Sequence, residues 1–161
     1  MKVAKTNAMR LLDQAGIAYE ILTYEYDEND LSGLKAADAL KLPPALIFKT
    51  LVLVGDRTGH MVACLPVDQE IDLKALAVLS GDKRVEMIAQ KDLLPLTGYL
   101  RGGCSPIGMK KRWPTYICES AMERGKIAVS AGQRGIQVLL KPDDLIRYTE
   151  AKVGTFSRLC D

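Results

Sequence analysis

The sequence predicts an α/β fold of the α+β type, with a mixed β-sheet flanked by helices. Three observations predict it. Short helical and extended patterns alternate irregularly over the 161 residues, without the βαβ rhythm of a doubly wound parallel sheet. Two apolar runs joined by Gly55-Asp56-Arg57-Thr58-Gly59 read as a hairpin, so part of the sheet is antiparallel. No repeat, low-complexity tract or linker interrupts the chain, so residues 1–161 are expected to form one domain.

The elements follow in order. Ala4, Ala8, Leu11, Leu12 and Ala15 fall on one helical face, and Gly16 is a natural stop. Residues 18–24 read as a strand, followed by the polar turn Asp27-Glu28-Asn29-Asp30. Residues 33–42 form a short amphipathic helix closed by Pro43-Pro44. Residues 47–54 and 60–67 are the two arms of the hairpin. Asp72 caps a helix from Leu73 to Leu79 that ends at Gly81. A strand over 84–88 and a helix over 90–96 lead into a glycine-rich loop, Gly98 to Gly108. Further strands fall at 115–118, 127–129 and 137–140. Pro142 opens a last helix, with Asp143 and Asp144 favourable in its first turn. The final ten residues carry no pattern that places them.

Composition narrows the function classes. With 48% hydrophobic and 26% charged residues the chain has an ordinary soluble composition, and with 6% aromatics its core is mainly aliphatic. No run reaches membrane-span length, and the amphipathic N-terminus is not a signal peptide. Cys64, Cys104, Cys118 and Cys160 form no CxxC or CxxxC pair, which disfavours a zinc site; a disulfide framework is equally disfavoured in a chain with this much core. Cys64 and Cys118 read as buried small hydrophobes, and reduced thiols point to the cytoplasm. Net charge is only +2, but residues 101–135 hold seven Lys/Arg against two Glu. That stretch suits a phosphate-bearing partner, or is a solvated charged loop.

The only histidine, His60, stands beside the hairpin turn, which disfavours Ser-His-Asp and Cys-His machinery. HExxH, Walker and GxGxxG motifs are absent from the sequence. Three features remain. Lys49 interrupts the apolar strand IFKTLVLV, either as a charge guarding a sheet edge or as a cation in a polar pocket. Gly102-Gly103-Cys104-Ser105-Pro106 is a GxxxP loop, either a tight turn or a set of amides able to hold a carbonyl oxygen that gains charge. Ser130-Ala-Gly132-Gln-Arg134-Gly135 follows a strand and is either an anion-binding nest or a hairpin loop.

FKTLV, then TGYLRGGCSPIG with a following KKR, then VSAGQRG, in this order and spacing, resemble the YbaK/prolyl-tRNA synthetase-associated domain family. The resemblance runs from the first helix to the last. It implies a mixed, partly barrel-like sheet and trans-editing of a mischarged aminoacyl-tRNA, with cysteine on a proline tRNA as the implied substrate. The family lysine falls on Lys49 and its GxxxP loop on Gly102, Gly103, Ser105 and Pro106. Tyr24 and Thr50 would shape the amino-acid pocket, with Ser130, Gly132 and Arg134 as further substrate contacts. Lys110, Lys111 and Arg112 are the candidates for the tRNA backbone.

Two positions depart from the family: the Leu31-Ser32-Gly33 region lacks an aromatic that relatives carry, and Gln137 stands where relatives carry an acid. No cofactor or metal is expected. The expected partners are the tRNA acceptor end and, transiently, prolyl-tRNA synthetase. The implied mechanism has the substrate thiol attack its own ester, with Lys49 and the Gly102 amide orienting it. A deacylase for another small amino acid, and a non-catalytic module that binds tRNA or the synthetase, are the alternatives.

Overall fold

The computed structural model describes residues 4–160. Helix α1 (Asn7–Gln14) starts at Thr6, whose hydroxyl accepts from the Met9 amide at 3.2 Å. Ala8, Met9 and Leu12 are its buried face; Ala4 and Ala15, expected on that face, are exposed. Strand β1 (Glu20–Thr23) follows, then α2 (Gly33–Leu40), which Ser32 caps. This helix stops two residues short of the expected end because Lys41 turns left-handed at φ 56° ahead of the two prolines.

The hairpin forms as expected from β2 (Phe48–Gly55) and β3 (Gly59–Pro66). Two aspartates tie its turn to the segment after α3 (Leu73–Ser80). Asp82 accepts from the amides of Arg57 and Thr58 at 2.8 Å each, from the Thr58 hydroxyl at 2.7 Å and from the Ser80 hydroxyl at 2.6 Å. Asp56 returns the bond, accepting from the amides of Lys83 and Arg84. An added side chain on Gly55 would place its Cβ 2.2 Å from the Asp82 carboxylate, so only glycine fits there.

Strand β4 (Gln69–Ile71) precedes α3; β5 (Val85–Met87), α4 (Leu93–Thr97), β6 (Thr115–Cys118), β7 (Ile127–Gln133), β8 (Ile136–Leu140) and α5 (Pro142–Thr149) follow it. The expected helix over 90–96 is a 3-10 turn, Gln90–Asp92, running into α4. The last residues form β9 (Lys152–Gly154) and β10 (Ser157–Leu159).

Three sheets result. The largest is mixed, in the order β5-β2-β3-β6-β9, with β6 parallel to β3 and to β9. The order β1-β8-β7 makes an antiparallel sheet, and β10 pairs with β4. A parallel bridge from Ile47 to Ala128 joins the two larger sheets, so they run on into one another as a partly barrel-like sheet requires. The main core lies among these layers and is aliphatic, with Phe48 and Phe156 as its large buried rings. Among the described residues, no helix is long and apolar enough to cross a membrane.

Candidate functional site

The site begins where the sheets part. Strand β2 pairs with β3 along one edge from Phe48 to Gly55. On its other edge only Ile47, bridged to β7, and Leu53–Gly55, paired with β5, have ladder partners. The Ile47 carbonyl accepts from Val67 beyond β3, and the Val52 carbonyl accepts from Ile88 on the opposite edge. The bridge at Ile47 is carried by its neighbours, since both main-chain groups of Ile47 have other partners, so alternation leaves those of Thr50 turned toward the open stretch. A cavity of about 450 Å³ fills that gap.

Residues distant in sequence meet on its walls: Tyr24 after β1, Lys49 and Thr50 on β2, Gly102 and Cys104 on the loop after α4, Ser130 on β7 and Gln137 on β8. The Lys49 side chain is half-buried and makes no hydrogen bond or ion pair with any described residue. Thr50 lies opposite Cys64, with its hydroxyl 3.9 Å from the buried thiol.

The loop's shape follows from its glycines. The Gly103 amide donates to the Leu100 carbonyl at 2.9 Å, closing a turn that requires φ +86° at Gly102. The amides of Gly102 and Cys104 have no acceptor among the described residues, and both residues face the cavity. They are the donors available to a carbonyl oxygen that gains charge. Gly103 is buried against the main chain of Gln133 and Arg134, where an added Cβ would meet the Arg134 nitrogen at 3.1 Å.

Of the other sequence candidates Ser130 is on the cavity wall, and the rest stand behind or beside it. Ser105 is fully buried and accepts from the Ile107 amide. Arg134 donates from Nε to the Arg101 carbonyl at 2.8 Å, fastening hairpin β7–β8 to the loop. Gly132, at φ +100°, leaves room for the Tyr99 ring, whose hydroxyl donates to the Ile107 carbonyl. The Ser130 hydroxyl accepts from the Gly132 amide where β7 bulges. The 130–135 segment is thus a bulged hairpin with a two-residue turn at Arg134-Gly135. Pro106 faces a second, smaller cavity with Lys111 and Arg112. Lys110 reaches the Pro95 carbonyl, and Arg112 donates to the Tyr148 carbonyl and sits 3.8 Å from Glu150.

Gln137 is the residue whose place the motifs alone did not give. It pairs with Ser130 across the β7–β8 ladder, is 7% exposed and lines the cavity, while its Oε1 is enclosed with no hydrogen-bond donor among the described residues. Its cross-strand register with Ser130 was the available sequence signal. Leu31 and Gly33 also line the cavity, and Leu31 packs over Gly102.

The site holds no enzymic nucleophile–base pair. Burial pushes the Cys104 thiol up to about 12, so it is protonated near neutrality. Cys64, also raised to about 12 by burial, is enclosed in the core. His60 lies at the hairpin and stacks on Trp113 at 5.1 Å, away from the cavity. All four cysteines are free thiols. Among the described residues, no group of three or more His, Cys, Asp or Glu is placed to hold a metal.

Lys49, the free amides of Gly102 and Cys104 and the side chain of Gln137 thus meet at one cavity of an α+β domain. The chain belongs to the aminoacyl-tRNA editing domain family, which matches residues 32–148. It is 49% identical over 148 residues to EbsC of Enterococcus faecalis, a protein assigned as a Cys-tRNA(Pro)/Cys-tRNA(Cys) deacylase, with 92% of this chain and 90% of the relative covered. It is 26% identical over 162 residues to the multifunctional Ser/Thr-tRNA deacylase ProXp-y of Escherichia coli, covering 97% and 94% of the two chains. A solved structure assigned as a trans-editing enzyme for prolyl-tRNA synthetase superposes with a TM-score of 0.82 at 21% identity, covering 97% of this chain and 99% of that one. At that identity the likeness is one of fold.

Proposed function

We propose that the protein is a trans-editing deacylase that releases cysteine from Cys-tRNA(Pro), and from Cys-tRNA(Cys) where that is presented to it. The observation that carries the reading is the meeting of Lys49 with the free amides of Gly102 and Cys104 in one cavity that offers no activated nucleophile. The relative at 49% identity supports cysteine as the amino acid.

The substrate supplies the nucleophile. The cysteinyl sulfur attacks its own ester carbonyl carbon, a C–S bond forms, and the C–O bond to the ribose breaks. The thiol proton passes to the departing ribose oxygen, leaving a four-membered cyclic thioester that water then opens to free cysteine. Holding thiol and carbonyl in one reactive geometry supplies much of the acceleration. The Gly102 and Cys104 amides hold the carbonyl oxygen as it gains charge. The Lys49 ammonium binds the terminal ribose-phosphate or the same carbonyl by a charge-assisted hydrogen bond. The Gln137 amide, Tyr24 and Thr50 bound the space for the amino acid.

Prolyl-tRNA synthetase is the expected transient partner, since a structural relative is assigned as a trans-editing enzyme for that synthetase. Four free thiols fit a cytoplasmic setting.

The test is a panel of proline tRNAs charged with cysteine, serine or 2-aminobutyrate, with and without the synthetase. Cysteine is expected to leave at least tenfold faster than either analogue, and equal rates would remove the substrate-thiol step. Lys49→Ala is expected to slow release about a hundredfold while the thermal midpoint holds, as loss of a charge-assisted contact plus positioning requires. The likeness to a Ser/Thr-tRNA deacylase favours one second reading, the same pocket acting on seryl- or threonyl-tRNA; faster release of serine in the panel would establish it.

A further inference from the structure

The GxxxP loop separates two cavities. Gly102 and Cys104 face the first; Pro106 and Gly108 face a second, of about 190 Å³, between the loop, α1 and α5. Trp113, Tyr148 and Lys111 are among the residues that line the second cavity. His60 stacks on Trp113 with ring planes 27° apart, which braces the indole in its orientation. Arg112 is engaged by the Tyr148 carbonyl and by Glu150, and Lys110 by the Pro95 carbonyl. Exposed Lys111 has no side-chain partner among the described residues. Within the sequence Lys110-Lys111-Arg112, the fold therefore fixes two cations internally and leaves one at the rim of an aromatic groove.

The groove lies across the loop from the deacylation cavity: Cys104, facing the first, and Pro106, facing the second, are two residues apart. Val62 and Thr115, in the groove's wall, project from the sheet face opposite to Lys49, so a strand joining the two sites passes over the loop.

We propose that this groove binds an unpaired nucleotide of the tRNA 3′ end, upstream of the esterified one, with its base against Trp113 and Tyr148 and its phosphate on Lys111. The inference rests on the aminoacyl-tRNA reading of the first cavity. The aromatic pair gives any base a stacking surface, and the lone cation takes the backbone charge, the combination that holds single-stranded nucleic acid without reading sequence. The base in the groove then fixes the register of the ester against Lys49 and Gly102.

Trp113 is the only tryptophan in the chain, so intrinsic tryptophan fluorescence reads this groove alone. The trinucleotide RNA CCA and uncharged tRNA are each titrated against the intact protein, with ribose 5-phosphate as the control lacking a base. Both RNAs are expected to change the emission saturably, ribose 5-phosphate is not, and Lys111→Ala is expected to weaken the RNA response and flatten its salt dependence. In deacylation, Trp113→Leu is expected to raise KM about tenfold with kcat held, and Trp113→Phe to recover most of it. No emission change with either RNA, an equal change with ribose 5-phosphate, or an unaltered KM in folded Trp113→Leu would overturn the proposal. The titration needs no deacylation, so it decides the groove even if the wild-type protein released no amino acid from any tRNA, a result that would sink the proposed activity separately.

Discussion

Gln137 faces Ser130 across the β7–β8 ladder, and its Oε1 is buried in the cavity wall without a donor. This acceptor is desolvated and unpaired, which costs the folded protein stability. Gln137→Leu is therefore expected to raise unfolding free energy by about 1 kcal/mol while slowing deacylation at least tenfold. Urea denaturation and release of cysteine from mischarged tRNA measure the two effects. Lower stability with intact activity would mean that the amide serves the fold and not the ligand.

Arg134 acts on the loop from behind. Its Nε–Arg101 carbonyl bond and the main-chain packing of Gly103 on Gln133-Arg134 fasten the amides of Gly102 and Cys104 in place. Arg134→Ala is expected to lower kcat about three- to tenfold, the worth of one hydrogen bond, with KM little changed. Gly103→Ala should cost more, since the added methyl meets the Arg134 nitrogen at 3.1 Å and main chain yields less readily than a side chain. Steady-state deacylation of both variants checks this order.

Cys104 lines the cavity, yet burial holds its thiol near 12, so a thiolate is scarce at neutral pH. Cys104→Ala is expected to retain activity within about threefold, because what the site uses is the residue's amide. Its removal should leave the pH–rate profile unshifted between pH 6 and 9, roughly the range in which an exposed thiol would titrate. Loss of activity beyond a hundredfold in a folded variant would make the thiol a participant.

Asp82 contributes to the acid limb of stability. Burial opposes its charge, but the hydroxyls of Ser80 and Thr58 and two amides outweigh that and lower it from 3.8 to about 2. A carboxylate depressed in the folded state contributes stability that is fully present above its unfolded value and lost as pH falls through the folded one. That contribution should therefore disappear between pH 3.8 and about 2. Asp82→Asn is expected to lower Tm at pH 7 by about 4–8 °C, equivalent to about 2 kcal/mol, and to flatten the decline over that acid window. Thermal melts from pH 7 to 2 compare the two proteins.

Much of this organisation was legible in the chain. The β2–β3 hairpin, the Asp72 cap of α3, the Pro142 start of α5 and the stop at Gly16 all follow from local chemistry, and the structure keeps them. The motifs also located Lys49 and the GxxxP loop. Strands β4, β9 and β10 were not legible: three-residue edge strands show no periodicity, and their pairing partners lie far away in sequence.

What the sequence by itself determined is the set of local elements, the lysine inside an apolar strand, the conformationally free loop and the family they belong to. Tertiary structure alone decided what those parts face. The gap between the Ile47 bridge and the β5 pairing opens one edge of β2, and that gap is the cavity. Whether Lys49 guards a sheet edge or enters a pocket depends on where β7 and β5 leave that edge unpaired, a property of long-range pairing and not of the strand. The same holds for the basic run: three adjacent cations look equivalent in sequence, and only the positions of Pro95, Tyr148 and Glu150 distinguish Lys111 from its neighbours.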